Sequence, residues 1–297
     1  MINFFDKSLE YSLQQLLASK NGVGFLQSLN EAKIYELSKE LVSKNWFNDA
    51  HLLEAAISNI WPNGSVVGFV SHVIWCAHRE ALSKSVSGKG ESEIPMVVNG
   101  LNHLDAIENK PAVIITPMTL ATIDAVTVIT KLSSKLDNAK DFIIYGENMD
   151  PYFDVYPKLR PLFAENNLSG IKTIKKVLRN NGLFFTYADF VYDTHSNMEG
   201  NLFGIKRVYS QGFLSITASS KAVLLPMLLL KKQDTIEVNL YSAIQQGATS
   251  SQNQLSKNMQ TQILCIVVGK ILEGLIVKAT NQWRLLPTLS HEVEFSI

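Results

Sequence analysis

Cysteine is scarce in this chain, with Cys76 and Cys265 the only two among 297 residues. Two thiols supply neither a disulfide framework nor a metal-ligand cluster, and their scarcity suits a reducing compartment. No excess of one charge is present either, because 27 basic and 27 acidic side chains cancel. Nothing global therefore steers the protein towards nucleic acid or an anionic membrane. The N-terminal MINFFDKSLEYSLQ lacks the basic start and continuous apolar run of a signal peptide. No run reaches the roughly 18 uninterrupted apolar residues of a membrane span. Val66 to Ala77 is interrupted by Ser71 and His72, and Ile263 to Val277 by Lys270 and Glu273, so both read as core helices. A cytoplasmic protein without a transmembrane anchor is the expectation. The glycines of Ser85 to Ser92, SVSGKGES, lack the spacing of a phosphate-binding P-loop. No internal repeat is visible.

What is present is apolar content, 46% of the chain, with 18% charge. That composition suits a compact fold, and the length permits one large domain or two. Residues 1 to about 90 are helical in character. Leu9, Leu13, Leu16 and Leu17 recur at helical spacing, as do Ile34, Leu37, Leu41 and Trp46, and Asn30 is placed to start the second of these helices. Trp61 to Ser65 is a turn, and Val66 to Leu82 a buried helix carrying His72 and His78. After the small, polar linker SVSGKGES the pattern changes to alternating strands and helices. Strands are expected at Pro95 to Asn99, Ala112 to Thr116, Asp141 to Tyr145, Leu183 to Tyr187, Ala222 to Leu230 and Thr235 to Leu240. Helices are expected at Leu101 to Asn109, Ala121 to Leu136, Asp154 to Phe163, Gly170 to Arg179 and Asn258 to Ala279, with Asn180-Asn181-Gly182 as a stop and Lys231 to Asp234 as a turn. This order predicts an α/β fold with a mixed sheet flanked by helices. The division is a helical section over 1–90 and an α/β domain over 91–297, packed as one unit.

The segment KPAVIITPMTLATIDA, Lys110 to Ala125, is the natural place to look for chemistry. A buried strand ends there in a proline-marked turn and opens a helix, and open α/β sheets bind ligands outside the carboxyl ends of their strands. An ordinary strand-to-helix connection reads the same way.

Further residues make the order specific. They are VNGLNHLDA (98–106), DFIIYGENMDPYFDVYPKLR (141–160), Tyr187-Ala188-Asp189, and the run Phe203-Gly204, Gly212, Ala222 and Pro226. In this order they resemble the lysophospholipid acyltransferase-like superfamily, most closely its bacterial lipid A biosynthesis (lauroyl/myristoyl) acyltransferase branch, over roughly two thirds of the chain. The resemblance implies an acyltransferase-like fold and transfer of an acyl group from a thioester. The co-substrate would be acyl-coenzyme A or a phosphopantetheinyl acyl carrier protein, with no permanently bound cofactor and no metal.

The chain departs from the family at its signature, His-x4-Asp/Glu. The histidine's place is taken by Thr119 if the spacing to Asp124 is kept, or by Met118 in an ungapped match. Neither side chain is a general base near neutral pH. The one His-x4-Glu, His103 to Glu108, lies on the preceding helix and reads as coincidence. The resemblance makes Asp124, Thr119 and Asp189 the candidate catalytic residues, and Arg160, Met118 and Gly204 the candidate substrate-binding residues. Two have a plain alternative, Asp124 as a solvated residue of a first helical turn and Arg160 as half of a surface pair, whereas Asp189, at a predicted strand end with Asp193 nearby, is placed to line the cleft. Without the histidine, the enzyme would work by binding and orientation, with an acceptor already nucleophilic (an amine or a stabilised carbanion) or with a base supplied from elsewhere. His72 and His78 from the helical section are candidates, although buried helix histidines are more often satisfied core residues. His195 and His291 read as loop and tail residues. Cys76 and Cys265 read as structural, with no Cys-His pairing at recognisable spacing. The functional expectation is an enzyme moving an acyl group to a small acceptor without the usual histidine. The alternative is an inactive homologue that binds an acyl carrier protein or a partner enzyme.

Overall fold

The computed structural model describes residues 9–44, 50–85, 94–133, 141–145, 163–164, 167–190, 197–245 and 256–287. The chain forms two compact units. One comprises Met1–Glu93, Thr119–Val126 and Val277–Ile297, and the other Ile94–Met118 and Thr127–Ile276.

The first unit is helical. Its elements are α1 (Leu9–Ala18), α2 (Lys20–Gln27), α3 (Glu31–Ser43), α4 (Ala50–Ile60) and α5 (Val66–Ser85). The side chain of Ser19 accepts from the Gly22 N–H at 3.0 Å, capping α2, a helix for which the sequence reading had no counterpart. Asn30 caps α3 as expected, accepting from the Lys33 N–H at 2.9 Å. The Ser65 hydroxyl accepts from the Gly68 N–H at 3.0 Å to start α5, and Asn281 Oδ1 accepts from the Ser65 N–H at 2.9 Å. Helix α5 is the centre of this unit, burying Phe69, Val70, Val73, Ile74, Cys76, Ala77 and Ala81 against α1 to α4.

The second unit is built on a seven-stranded sheet. Its strands are β1 (Met96–Asn99), β2 (Ala112–Thr116), β3 (Phe142–Tyr145), β4 (Phe163–Ala164), β5 (Leu183–Tyr187), β8 (Val223–Lys232) and β9 (Thr235–Leu240), in spatial order β1-β9-β8-β2-β5-β3-β4. Every neighbouring pair is parallel except β8 with β9, so the α/β class with a mixed sheet is what the chain adopts. The central strands β2 and β5 are buried at every position, as their unbroken apolar runs AVIIT and LFFTY require. A separate two-stranded hairpin, β6 (Asn197–Leu202) and β7 (Ile205–Ser210), turns at Phe203-Gly204, both at positive φ (55° and 79°). The helices are α6 (Thr122–Ser133), α7 (Leu168–Arg179), α8 (Gln211–Ser220) and α9 (Lys257–Lys278), with a 3-10 turn at Leu101–Ile107 where a short α-helix was expected. Helix α6 is divided between the two units after Val126.

Several expectations shift. Phe163, placed at the end of a helix by sequence, pairs in the parallel strand β4, and 154–162 lie outside the described residues, as do the linker at 86–93 and Trp46. Lys231 and Lys232 continue β8, which shortens the expected turn to Gln233-Asp234, with Gln233 at φ 50°. Helix α7 stops at the Asn180-Asn181-Gly182 signal, but the left-handed residue is Asn181 (φ 59°) and not the glycine. The hairpin and α8 had no counterpart in the sequence reading. Among the described residues one helix, α9, is long and apolar enough to cross a membrane, and 44% of its apolar stretch is buried. Its inward face of Leu264, Cys265, Val268, Gly269, Leu272 and Leu275 carries that burial.

Candidate functional site

The turn after β2 leads to two polar constellations, one in each unit. In the helical unit, four side chains hold the segment from Thr119 to Asp124. Asp124 is buried, not solvated as its plain alternative supposed, and Arg79 of α5 grips it as a fork. Arg79 Nε donates to both carboxylate oxygens at 3.1 and 3.0 Å, and Nη2 donates to Oδ1 at 2.7 Å. Glu80, also buried, accepts from the Thr122 N–H at 2.6 Å and thereby supplies a carboxylate to the N-terminus of α6. Arg284 Nη1 donates to the Leu120 carbonyl at 3.1 Å. His72 Nε2 lies 2.6 Å from the Thr119 carbonyl oxygen.

That last contact fixes a tautomer. A carbonyl oxygen only accepts, so Nε2 carries the proton, and in the neutral ring the lone pair resides on Nδ1. The Cys76 sulfur is 3.5 Å from the same Nε2, a pairing at i and i+4 that the sequence reading did not find. Because Nε2 is already a donor, it has no lone pair for the Cys76 proton, so the two do not form a nucleophile and base. The imidazole also stacks on Trp75, with centroids 5.8 Å apart. His78 binds the Leu26 carbonyl through Nδ1 at 2.7 Å and has a structural role in joining α5 to α2.

In the sheet unit, Thr116 and Tyr187 lie side by side at the carboxyl ends of β2 and β5. From β2 the chain proceeds to β3, beyond β5 in the sheet, whereas from β5 it proceeds through the hairpin to β8, beyond β2. Adjacent parallel strands whose onward connections run in opposite directions are a topological switch point, the place where open α/β sheets bind ligands. Asp189 follows β5 here, and its Oδ2 accepts from the Met118 N–H at 2.9 Å. The Ala188 N–H donates to the Thr116 carbonyl at 3.2 Å, so the two strand ends are laced together. Arg207 projects from β7, with Nη2 donating to the Asp189 main-chain oxygen at 3.1 Å. Both are almost wholly buried, Asp189 at 2% and Arg207 at 5% exposure. Burial raises the phenol of the neighbouring Tyr209 above its ordinary value, an effect the Arg207 charge opposes and the Asp189 charge reinforces.

Of the sequence-predicted residues, Thr119 and Asp124 thus belong to the helical constellation, and Met118 and Asp189 to the switch point. Gly204 forms the hairpin turn, where a Cβ would meet nothing within 4 Å. Arg160, His195 and His291 lie outside the described residues. His103 is on the 3-10 turn, partly exposed. Arg79, Glu80, Arg284 and Arg207 were missed. For the first two a signal existed: His72, Arg79, Glu80 and Ser83 sit at i, i+7, i+8 and i+11 of a largely buried helix, a polar stripe that must find polar partners inside the fold. Arg207 gave none, because its strand alternates too weakly. Among the described residues no group of three or more His, Cys, Asp or Glu side chains is placed to hold a metal ion. No protein-family model matches the chain, and neither does any curated protein sequence.

Proposed function

We propose that the protein binds an acyl thioester, of coenzyme A or of an acyl carrier protein, and transfers the acyl group to a small acceptor, with His72 as the base. The observation that carries this reading is the imidazole at 2.6 Å from Thr119, at the turn where the resembling family keeps its histidine. Thr119 contributes its carbonyl, which orients the ring and fixes the Nε2–H tautomer, the part a carboxylate plays in the usual dyad. The Nδ1 lone pair then takes the acceptor's proton as the acceptor attacks the thioester carbon. The thiol leaves with that proton. A carbonyl stabilises the resulting imidazolium less than a carboxylate would, which favours acceptors that are already nucleophilic, such as amines. Positioning of donor and acceptor supplies the rest, on the order of 7–11 kcal/mol in favourable cases.

The test is product and intact-mass analysis with a panel of acyl-coenzyme A and acyl carrier protein thioesters, plus amine and alcohol acceptors. His72→Gln keeps an N–H for the Thr119 carbonyl and removes the base. It should lower kcat by about 10²–10⁴ and erase the acidic limb of the pH–rate profile while leaving KM nearly unchanged. Wild-type turnover that His72→Gln retains in full would sink the reading. A second reading, a non-catalytic subunit that binds an acyl carrier protein or partner enzyme, draws on the bidentate capture of Asp124 by Arg79, which diverts the signature carboxylate to a structural task. Thioester binding without turnover over the whole panel would favour it.

A further inference from the structure

A net charge of zero conceals a local excess on α7, LSGIKTIKKVLR, whose four charged residues are all cations. Lys172, Lys175, Lys176 and Arg179 fall at i, i+3, i+4 and i+7, which is one face of a helix, and all four are exposed. None of them forms an ion pair among the described residues. Elsewhere the chain pairs its helical lysines, Lys39 with Glu36 and Lys44 with Glu40 along α3, and Lys270 with Glu273 on α9. Like charges at these spacings repel, so α7 itself gains nothing from the arrangement. The helix C-terminus accounts for Lys176 and Arg179, which lie in the last turn, but not for Lys172 and Lys175. The opposite face, Gly170, Ile174, Val177 and Leu178, is buried, which keeps the cations turned outward. One apolar residue stands in line with them. Leu168, four residues before Lys172, is 77% exposed, the highest value of any large apolar side chain among the described residues. From Leu168 to Arg179 the stripe runs about 16 Å along the helix.

We infer that this face of α7 docks on an anionic lipid surface, with the four cations against headgroup charges and Leu168 inserted at the boundary of headgroups and acyl chains. Basic clusters on an amphipathic helix are drawn to acidic leaflets, each cation near the surface contributing about fivefold in affinity. Three of the four are lysines, compact point charges that need no directional partner, which suits a fluid array of headgroups. A protein partner is recognised through aromatic and arginine anchors in a desolvated, pocketed centre. Helix α7 has no aromatic residue, and its exposed apolar group protrudes. Its apolar face is already committed to the protein core, so the contact is peripheral and the helix does not embed. The face belongs to the sheet unit alone, and the inference rests on no part of the acyl-transfer reading.

The experiment is flotation of the full chain with vesicles of phosphatidylcholine alone, and of two parts phosphatidylcholine to one part phosphatidylserine, at low and high salt. The expected result is binding to the phosphatidylserine vesicles only, weakened by salt as the charges are screened. Lys172→Gln with Lys176→Gln should lower that affinity about 25-fold, from two cations at roughly fivefold each. A control of equal charge change, Lys39→Gln with Lys44→Gln along α3, should stay within twofold of wild type. Leu168→Asn should cost about tenfold with every cation in place, the loss of one buried leucine. All the substituted side chains are exposed, and the α7 double variant, relieved of a like-charge pair, should melt no lower than wild type in circular dichroism. The inference falls if the phosphatidylserine vesicles stay unbound, if neutral vesicles bind equally, if the α3 variant loses as much as the α7 variant, or if Leu168→Asn binds within twofold of wild type. Heparin binding that depends on α7, with vesicles left unbound, would also overturn it and assign the face to a soluble polyanion. Vesicle binding with these dependences but no thioester turnover would uphold it and count against the acyl-transfer reading alone.

Discussion

Asp124→Asn separates a structural from a catalytic role for this carboxylate. The substitution keeps the shape and one carbonyl oxygen but removes the charge opposite Arg79, whose side chain is 14% exposed against 5% for Asp124. Breaking a buried pair by neutralising one member leaves a cation without its counter-charge, at a cost of about 3–5 kcal/mol. With a urea slope of about 2 kcal/mol per molar, the unfolding midpoint should fall by roughly 1.5–2.5 M. The assay can be confined to the affected unit. All four tryptophans, at 46, 61, 75 and 283, fall in the sequence of the helical unit, so indole fluorescence reports its unfolding and not that of the sheet unit. Replacing both partners, Arg79→Met with Asp124→Leu, removes the stranded charge and should recover most of the loss. The penalty should change little with added salt, because the pair is largely shielded from solvent. A loss below about 1 kcal/mol accompanied by abolished turnover would refute this reasoning and return Asp124 to the chemistry.

Glu80→Ala removes the carboxylate at the start of α6, and a loss of about 0.5–2 kcal/mol in the same fluorescence assay is expected, whereas Glu80→Gln should cost less because it keeps an acceptor. Gly269→Ala would place a Cβ 2.8 Å from the Asn201 carbonyl and 3.1 Å from the Tyr209 hydroxyl, where α9 meets the hairpin; about 1–3 kcal/mol of destabilisation should appear in circular dichroism melts. Burial pushes the Cys265 thiol up from 9.0 to about 11, so between those values the unfolded chain has released a proton that the folded chain retains. Stability should therefore be full below about pH 9 and decline as pH rises towards 11, and Cys265→Ala should flatten that slope, as read by urea midpoints over the range.

The parts of the fold that were legible share one property, that local sequence and tertiary environment ask for the same thing. Strands β2 and β5 are buried on both faces and so are written as unbroken apolar runs, and α3 announces its start with Asn30. The hairpin strand β6, Asn-Met-Glu-Gly-Asn-Leu, buries only Leu202 fully and packs its glycine under the Tyr209 ring, so neither alternation nor apolar content marks it. The site divides in the same way. Asp189 was visible because it follows a recognisable strand. The partners of Asp124 and Thr119 come from 45 and 47 residues away, a relation that no local spacing records.

The order of the chain and the order of the units do not coincide, and this bears on how the protein can be taken apart. Thr119–Val126 is encoded inside the sheet portion yet is a component of the helical unit, and Val277–Ile297 returns to it from the far end. A cut in the 86–93 segment would not release two modules. The fragment from Ile94 onward would carry Asp124 and Thr122 without Arg79 and Glu80, and the fragment before it would carry those two without their targets. Each piece is incomplete alone, and the pair is a candidate for complementation by mixing. Exchange of either portion with that of a related chain would succeed only if the eight-residue insert at 119–126 travelled with the helices that hold it.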